Sequence, residues 1–203
     1  MIAPLHNGSD TSEIAAFILA GGRSRRFGSD KALFMYRGRP LIEHVIGAVR
    51  PGIGSISIIA DDSERFRHLG LPCHPDIVKG IGPLGGIYTA LSLCGKGHAL
   101  VLGCDTPFLS PGLISFLIRI RAEGDIIIPC YREMYEPLHA LYSSRCLPAV
   151  ENALRTEKRQ AVSFFGDVNV RTVGEAEIRR FADPDIVFRN FNYRHDVVDD
   201  SPH

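Results

Sequence analysis

The sequence predicts an α/β protein with three layers, in which helices cover both faces of a mainly parallel, twisted sheet. Short apolar runs alternate with segments of helical periodicity, and this order is typical of βαβ units. The chain has 203 residues, of which 45% are hydrophobic, so a single domain over 1–203 can bury its core without disulfides or metal ions. We expect residues 1–12 and 194–203 to be flexible tails.

The predicted elements follow one another along the chain. The near-continuous apolar run at 14–19 is expected of a parallel strand covered on both faces. Further strands are predicted at residues 56–60, 99–102, 125–128 and 138–142. Helices are predicted to begin at Pro40 and Pro83, because proline favours the first turn of a helix. A third helix is predicted from its apolar face, which comprises Leu113, Phe116, Leu117 and Ile120.

This order of elements predicts where the functional residues lie. In an open parallel sheet, ligands bind beyond the carboxyl ends of the strands. The segments to inspect are therefore those just after Leu19, Ala60, His74 and Leu102.

Charge and cysteine content exclude several classes of protein. The 23 Lys and Arg residues balance 23 Asp and Glu residues, unlike a uniformly basic nucleic-acid binder or an acidic disordered chain. Five cysteines without Cys-x-x-Cys spacing fit buried thiols in a reducing cytoplasm better than a disulfide framework or a zinc site. Residues 1–12 lack the features of a secretory signal, and no apolar run is long enough to cross a membrane. We expect a soluble, cytoplasmic protein without nucleic-acid or membrane partners.

A glycine-rich, basic loop follows the first predicted strand. Residues 19–31 read LAGGRSRRFGSDK, in which Asp30 alone offsets the cations Arg23, Arg25, Arg26 and Lys31. Glycines let successive backbone N–H groups approach phosphate oxygens, and the excess of positive charge suits a polyphosphate. The spacing is neither that of a Walker A loop nor that of the Gly-x-Gly-x-x-Gly fingerprint. The alternative is a basic loop that contacts only solvent.

This loop resembles the signature of the Rossmann-like nucleoside-diphosphate transferase fold. Within that fold it is most similar to the molybdenum cofactor guanylyltransferases, in which Ala-Gly-Gly is typical, whereas cytidylyltransferase relatives more often carry Ala-Ala-Gly. The resemblance implies that the loop wraps the phosphates of GTP and that Arg26 and Lys31 are catalytic. The loop residues that it implies in nucleotide binding are Leu19, Ala20, Gly21, Gly22 and Lys31.

A carboxylate, Asp105, follows the strand predicted at 99–102. An isolated carboxylate there is costly unless it is paired or binds a cation, and Mg²⁺ takes oxygen ligands and bridges phosphates. Alternatively, Asp105 caps the helix that begins near Pro111 or forms an Asx-turn. The family has Cys-Asp-x-Pro at this point, which implies that Asp105 is catalytic and binds Mg²⁺ and GTP. The proline that usually precedes this motif is replaced by Gly103.

A second glycine loop precedes the helix predicted at Pro83. Residues 74–87 read HPDIVKGIGPLGGI, and residues 82–86 are similar to the family's Gly-Pro-Leu-x-Gly motif. The resemblance implies that Asp76 and Gly82 contact the nucleotide and that Gly86 lies on the molybdopterin side. Simple initiation of a helix is the alternative for this loop.

The C-terminal FRNFN segment, residues 188–192, resembles the family's Phe-x-Asn-x-Asn signature. The resemblance implies that Asn190 and Asn192 bind molybdopterin, whereas two such residues by themselves are usual in turns. The resemblance to the family extends over residues 14–192.

The chain departs from the family pattern at several positions. Glu136 replaces the histidine of the usual His-Pro-x-x-Ala-Leu motif, and Tyr193 to Asp196 replace Thr-Pro-Glu-Asp. Ala60 aligns approximately with a family asparagine that contacts the base or the ribose. In this chain that contact is either missing or supplied by Asp61. We expect His139 to be a strand residue satisfied by packing or by hydrogen bonds.

The resemblance implies a Mg²⁺-dependent enzyme that transfers GMP from GTP to molybdopterin and releases pyrophosphate. It also implies molybdopterin-synthesis proteins and molybdoenzyme apoproteins or their chaperones as partners. One alternative is a transferase of the same fold that uses CTP with molybdopterin or a nucleoside triphosphate with a sugar phosphate. Another is a non-catalytic carrier of molybdopterin or nucleotide.

Overall fold

A computed structural model of the chain describes residues 13–21 and 31–191. Gly22, Arg26 and Asn192, together with both predicted tails, lie outside the described residues. The strands are β1 (Ile14–Leu19), β2 (Met35–Tyr36), β3 (Arg39–Pro40), β4 (Ser55–Ile59), β5 (Cys73–His74), β6 (His98–Gly103), β7 (Ile126–Tyr131), β8 (Met134–Tyr135), β9 (His139–Ser143) and β10 (Val170–Val173). The α-helices are α1 (Leu41–Val49), α2 (Pro83–Leu93), α3 (Pro111–Arg119), α4 (Leu147–Arg155), α5 (Glu175–Ile178) and α6 (Pro184–Val187).

The main sheet has the strand order β10-β7-β9-β6-β1-β4-β5, with β8 paired to β7. All neighbours in that order are parallel except β9, which is antiparallel to both β6 and β7. Strand β9 runs the other way because the β8 segment joins it to β7 without a crossover helix, and a parallel neighbour would need one. The predicted mainly parallel sheet is therefore confirmed.

Helices cover both faces of the sheet and form two hydrophobic cores. Alternate residues of β1 point to opposite faces, so Ile18 joins the core under α1 and α3, while Phe17 joins the core under α2 and α4. This arrangement confirms the three predicted layers. The predicted helix starts are also confirmed, since Pro40 directly precedes α1 and Pro83 is the first residue of α2.

The parallel register aligns the carboxyl ends of four strands. Leu19 pairs with Ile59 on one side and with Gly103 on the other, and Ile59 pairs with His74. The segments that follow β6, β1, β4 and β5 therefore meet at one edge of the sheet, as predicted.

All five cysteines are free thiols, in agreement with the predicted absence of a disulfide framework. The prediction that they are buried is correct for Cys146 alone, and the other four are half-buried. Among the described residues, the helices are too short or too polar to span a bilayer.

His139 is a strand residue, as predicted, but packing alone accommodates it. The side chain is 1% exposed, and its ring contacts the ring of Phe188 edge-on at 5.2 Å between centroids. Neither ring nitrogen has a hydrogen-bond partner among the described residues, so the hydrogen-bonding alternative is wrong. Burial lowers the pKa of His139 to about 4, because the charged imidazolium cannot be solvated there.

We predict that His139→Leu stabilises the protein, and more so at pH 5 than at pH 8. At pH 8 the gain comes from removing an unsatisfied polar group, about 1–2 kcal/mol in the free energy of unfolding. The pKa of the histidine is lowered in the folded state, so the unfolded wild type binds a proton first as pH falls from about 6.5 to about 4. The wild type therefore loses stability in that window, by about 2 kcal/mol at pH 5.

Urea unfolding at both pH values measures this difference. The exposed His68 provides a control, because His68→Leu is expected to change stability by less than about 0.5 kcal/mol. An equal gain for His139→Leu at pH 5 and pH 8 would contradict the prediction.

Candidate active site

A cavity of about 930 Å³ opens at the aligned carboxyl ends of β6, β1, β4 and β5. This volume is sufficient for a nucleotide-sized ligand. The cavity brings together eight of the predicted site residues, which are Leu19, Ala20, Gly21, Lys31, Asp76, Gly82, Gly86 and Asp105. Of the other predicted site residues, Asn190 is exposed and does not line the cavity, while Gly22, Arg26 and Asn192 are outside the described residues.

An ion pair joins the glycine-rich loop to the end of β6. Lys31 Nζ lies 2.7 Å from Asp105 Oδ2, and the two side chains are only 12% and 25% exposed. The pair explains how Asp105 is tolerated at the end of an apolar strand, since a charge removed from water needs a partner. Asp105 does not cap the following helix, because the side chain of Ser110 accepts the hydrogen bond from the Leu113 amide at 3.2 Å.

Gly103 leaves the space that the Asp105 carboxylate occupies. A Cβ atom at residue 103 would lie 2.6 Å from Asp105 Oδ1, closer than unbonded atoms approach. The absence of a Cβ at Gly103 therefore permits the observed position of the carboxylate.

Asp76 presents an unsatisfied oxygen in the wall of the cavity. Its Oδ1 atom is buried and has no hydrogen-bond partner within the described part of the chain. Burial, and to a lesser degree the nearby charge of Asp61, raises the pKa of Asp76. Buried polar atoms are normally paired, so this oxygen is suited to accept a hydrogen bond from a ligand.

The start of α2 forms another wall of the cavity. Gly82 adopts φ 73°, a left-handed conformation that glycine tolerates, and it directly precedes Pro83 in the first turn of the helix. Within the described residues no side chain caps this helix, and the Gly85 amide donates to the Gly82 carbonyl at 3.0 Å, so the positive end of the helix dipole faces the cavity without a side-chain acceptor. Gly86 allows α2 to approach β1, because a Cβ there would lie 2.3 Å from Leu19 Cδ2.

Three charged residues line the cavity beyond the end of β4, namely Asp61, Asp62 and Arg65. Asp61 was predicted as a possible substitute for the missing family contact, whereas Asp62 and Arg65 belong to no motif and were not predicted. Their position just after a predicted strand was the available signal. Asp61 Oδ1 lies 3.4 Å from Lys79 Nζ, so this exposed pair joins the end of β4 to the loop before α2.

The C-terminal segment predicted to bind molybdopterin, residues 188–192, contacts Asp105 through its described residues. The Phe191 amide donates a hydrogen bond to the Asp105 carbonyl at 3.0 Å, which places Asn190 beside the end of β6. Glu136 is a second carboxyl group in this region, and burial together with the charge of Asp105 raises its pKa to about 7. The roles of Asn190, Asn192 and Gly86 towards molybdopterin stay predictions.

The side chains that line the cavity fit a metal ion that is bound partly by the protein and partly by the substrate. The described residues contain no group of three or more His, Cys, Asp or Glu side chains that could form a protein-only site. Mg²⁺ commonly takes one or two carboxylates and completes its shell with water and phosphate oxygens. Asp105 alone, at the wall of a nucleotide-sized cavity, is compatible with that mode of binding.

Comparison with known proteins agrees with this geometry. The MobA-like NTP transferase domain matches residues 16–170. A protein of Pelotomaculum thermopropionicum named "probable molybdenum cofactor guanylyltransferase" is 37% identical, covering 89% of this chain and 88% of its own. The molybdenum cofactor guanylyltransferase of Desulfosudis oleivorans is 34% identical, covering 91% and 92%.

Among solved structures, the molybdopterin-guanine dinucleotide biosynthesis protein A of Archaeoglobus fulgidus superimposes with a TM-score of 0.78 and 27% identity, covering 91% of this chain and 95% of its own. The domain match spans most of the chain, and both named relatives are more than 30% identical over nearly their whole length. The chain therefore belongs to the family of MobA-like NTP transferase domains.

Proposed function

We propose that this protein transfers GMP from GTP to molybdopterin, releasing pyrophosphate and forming the guanine dinucleotide of the cofactor. The observation that carries the proposal is the Lys31–Asp105 pair at the wall of the cavity, 2.7 Å apart and largely shielded from water. A carrier needs affinity alone, whereas a cation and a metal-binding carboxylate at one point suit phosphoryl chemistry. The names of the relatives support guanine and molybdopterin as the substrates.

The charges around the cavity orient the nucleotide. Lys31 and the uncapped start of α2 favour the triphosphate. Asp61, Asp62 and Asp76 lie beyond β4 and β5, where they would repel phosphates but accept hydrogen bonds from the base and the ribose. Guanine offers adjacent N1–H and 2-amino donors to a carboxylate, whereas cytosine has no such pair. The acidic side of the cavity therefore supports GTP over CTP.

The reaction needs positioning and charge neutralisation more than it needs a base. A terminal phosphate oxygen of molybdopterin attacks the α-phosphorus of GTP, a new P–O bond forms, and the bond to the bridging oxygen breaks as pyrophosphate leaves. The attacking phosphate monoester is already an anion at neutral pH, so no side chain has to remove a proton from it. Catalysis then depends on alignment of the two phosphates and on neutralisation of their charge.

Lys31 and Asp105 divide this task. Asp105 would hold Mg²⁺, which when bound neutralises phosphate charge. Lys31 would then be released from Asp105 to bind the phosphate oxygens, and its charge would stabilise the departing pyrophosphate. Asn190 precedes Phe191, whose amide bonds to the Asp105 carbonyl, and it would orient the acceptor.

We further propose that the protein acts in the cytoplasm, which is supported by its free thiols. The molybdopterin-synthesis proteins and the molybdoenzyme apoproteins or their chaperones remain predicted partners.

The direct test of this function is the release of pyrophosphate by the purified protein with GTP, Mg²⁺ and molybdopterin. We expect release with GTP, much slower release with CTP, and none after EDTA removes the metal. Faster release with CTP would overturn guanine as the base. Tight binding of GTP and molybdopterin without pyrophosphate release would instead identify a carrier.

We also predict that Gly103→Ala slows the transfer by about 10- to 100-fold, since displacement of a catalytic group by about 1 Å can have an effect of this size. The added Cβ would collide with Asp105 Oδ1 and move the carboxylate away from Lys31. The measurement is kcat for pyrophosphate release, with thermal unfolding to confirm that the variant is folded.

Gly47→Ala is the matched control, because a Cβ at this position of α1 would meet no atom within 4 Å among the described residues. It should leave kcat unchanged and stabilise the helix by about 1 kcal/mol. Wild-type turnover by folded Gly103→Ala would show that the position of the Asp105 carboxylate does not matter.

A further inference from the structure

Three aromatic rings form a small cluster beside the candidate active site. We call Tyr36, Phe108 and Phe191 the three-ring cluster. Their centroids lie 5.7 Å apart for Tyr36 and Phe108, 5.1 Å for Tyr36 and Phe191, and 5.6 Å for Phe108 and Phe191. All three contacts are edge-to-face, the arrangement that aromatic rings prefer.

Each ring belongs to a segment that carries a predicted site residue. Tyr36 follows the turn that begins at Lys31, where the Phe34 amide bonds to the Lys31 carbonyl at 3.2 Å. Phe108 follows Asp105 by three positions, and Phe191 is next to Asn190. The cluster therefore joins the segment of Lys31, which is predicted to bind the nucleotide, to the segments of Asp105 and Asn190, which are predicted to bind the metal and the acceptor.

One member of the cluster is also bonded directly to the backbone of the site. Phe191 is fully buried at 0% exposure, and its amide donates to the Asp105 carbonyl at 3.0 Å. The ring and the amide together hold the C-terminal segment on one side of Asp105, while Lys31 contacts the carboxylate.

The opposite end of the cluster is anchored to α1. His44 Nε2–H donates to the Tyr36 carbonyl at 2.9 Å, and the two rings lie 5.4 Å apart. Leu41, at the start of α1, is buried in the same group as Tyr36 and Phe191. The cluster is thus fixed to the scaffold on one side and to Asp105 on the other.

The cluster is separate from both main cores. Tyr36, Leu41 and Phe191 form their own buried group, whereas the cores on the two faces of the sheet comprise other residues. A change in the cluster therefore removes no residue from the two cores that pack on the sheet. This separation makes a positioning role distinguishable from a general contribution to stability.

We propose that Phe191 is a positioning residue that holds Asp105 in place for phosphoryl transfer and keeps the acceptor segment next to it. The inference rests on the proposed function for the step that Asp105 serves. Phe191 acts through Asp105 and contacts no reacting atom itself.

The test is Phe191→Leu, which keeps an apolar side chain but removes two of the three edge-to-face contacts, those of Phe191 with Tyr36 and with Phe108. We expect kcat for pyrophosphate release to fall by about 10- to 100-fold, because misplacement of a catalytic group affects the transfer step. The KM for GTP should rise only as far as the strengthening of GTP binding by Mg²⁺ is lost, since Lys31 and the start of α2 still bind the phosphates. Phe108→Leu should have a similar effect, and the double variant should be little worse than either single one.

A second measurement does not depend on the transfer reaction. Titration calorimetry with GTP, in EDTA and in excess Mg²⁺, measures how much the metal strengthens nucleotide binding. If Phe191 positions Asp105, Phe191→Leu should reduce the strengthening by Mg²⁺ and leave the affinity in EDTA unchanged. This result separates the inference from the proposed function, because binding is measured without an acceptor.

The matched control is Phe181→Leu. Phe181 stacks on Phe116 with 4.8 Å between ring centroids, and neither residue lines the cavity. We expect this variant to lower the midpoint of thermal unfolding about as much as Phe191→Leu while retaining kcat and the effect of Mg²⁺.

Two results would overturn the inference. If Phe191→Leu retained wild-type kcat and the full effect of Mg²⁺ while losing stability, the ring would serve packing alone. If its affinity for GTP in EDTA fell as much as its affinity in Mg²⁺, the cluster would shape the nucleotide pocket rather than position Asp105.

Discussion

The ion pair between Lys31 and Asp105 is the interaction on which the rest of the site depends. It joins residues 74 positions apart and brings the loop after β1 to the end of β6, with 2.7 Å between Nζ and Oδ2. Neither group alone is suited to its position, because each would be a partly buried charge without a counterion. Together they form a neutral pair that the phosphates of a nucleotide and a cation can replace with equivalent partners.

The fold makes this pair possible by aligning parallel strands. Because β6, β1, β4 and β5 end in register, the residues that follow them form one wall, which is cationic near Lys31 and acidic beyond β4. Zero net charge is therefore the sum of regions that differ in sign. The three-ring cluster and the amide of Phe191 add the C-terminal segment to the same edge of the sheet.

The local patterns were sufficient to predict the main elements and most of the cavity. The apolar run of β1, the prolines before α1 and in α2, and the glycine loops each indicate their structure without long-range information. Three-dimensional contacts decide the rest. No sequence motif contains Asp62 or Arg65, although they follow a predicted strand. No sequence pattern shows that a Cβ at Gly103 would meet Asp105, or that both His139 nitrogens lack a partner among the described residues. The short strands β5 and β10 depend on their neighbours in the sheet, so periodicity could not indicate them.

The central claim is that Lys31 and Asp105 act as one unit on the phosphates, and a double-mutant cycle tests it most directly. The measurement is the rate of pyrophosphate release from GTP and molybdopterin by Lys31→Ala, Asp105→Ala and the double variant. We expect each single variant to lose about 10²–10³ in rate, as when a partner of transition-state charge is removed. The double variant should be less than about tenfold slower than the slower single one, because groups that act together are not additive. Wild-type turnover by either single variant, or losses that multiply in the double variant, would contradict the account.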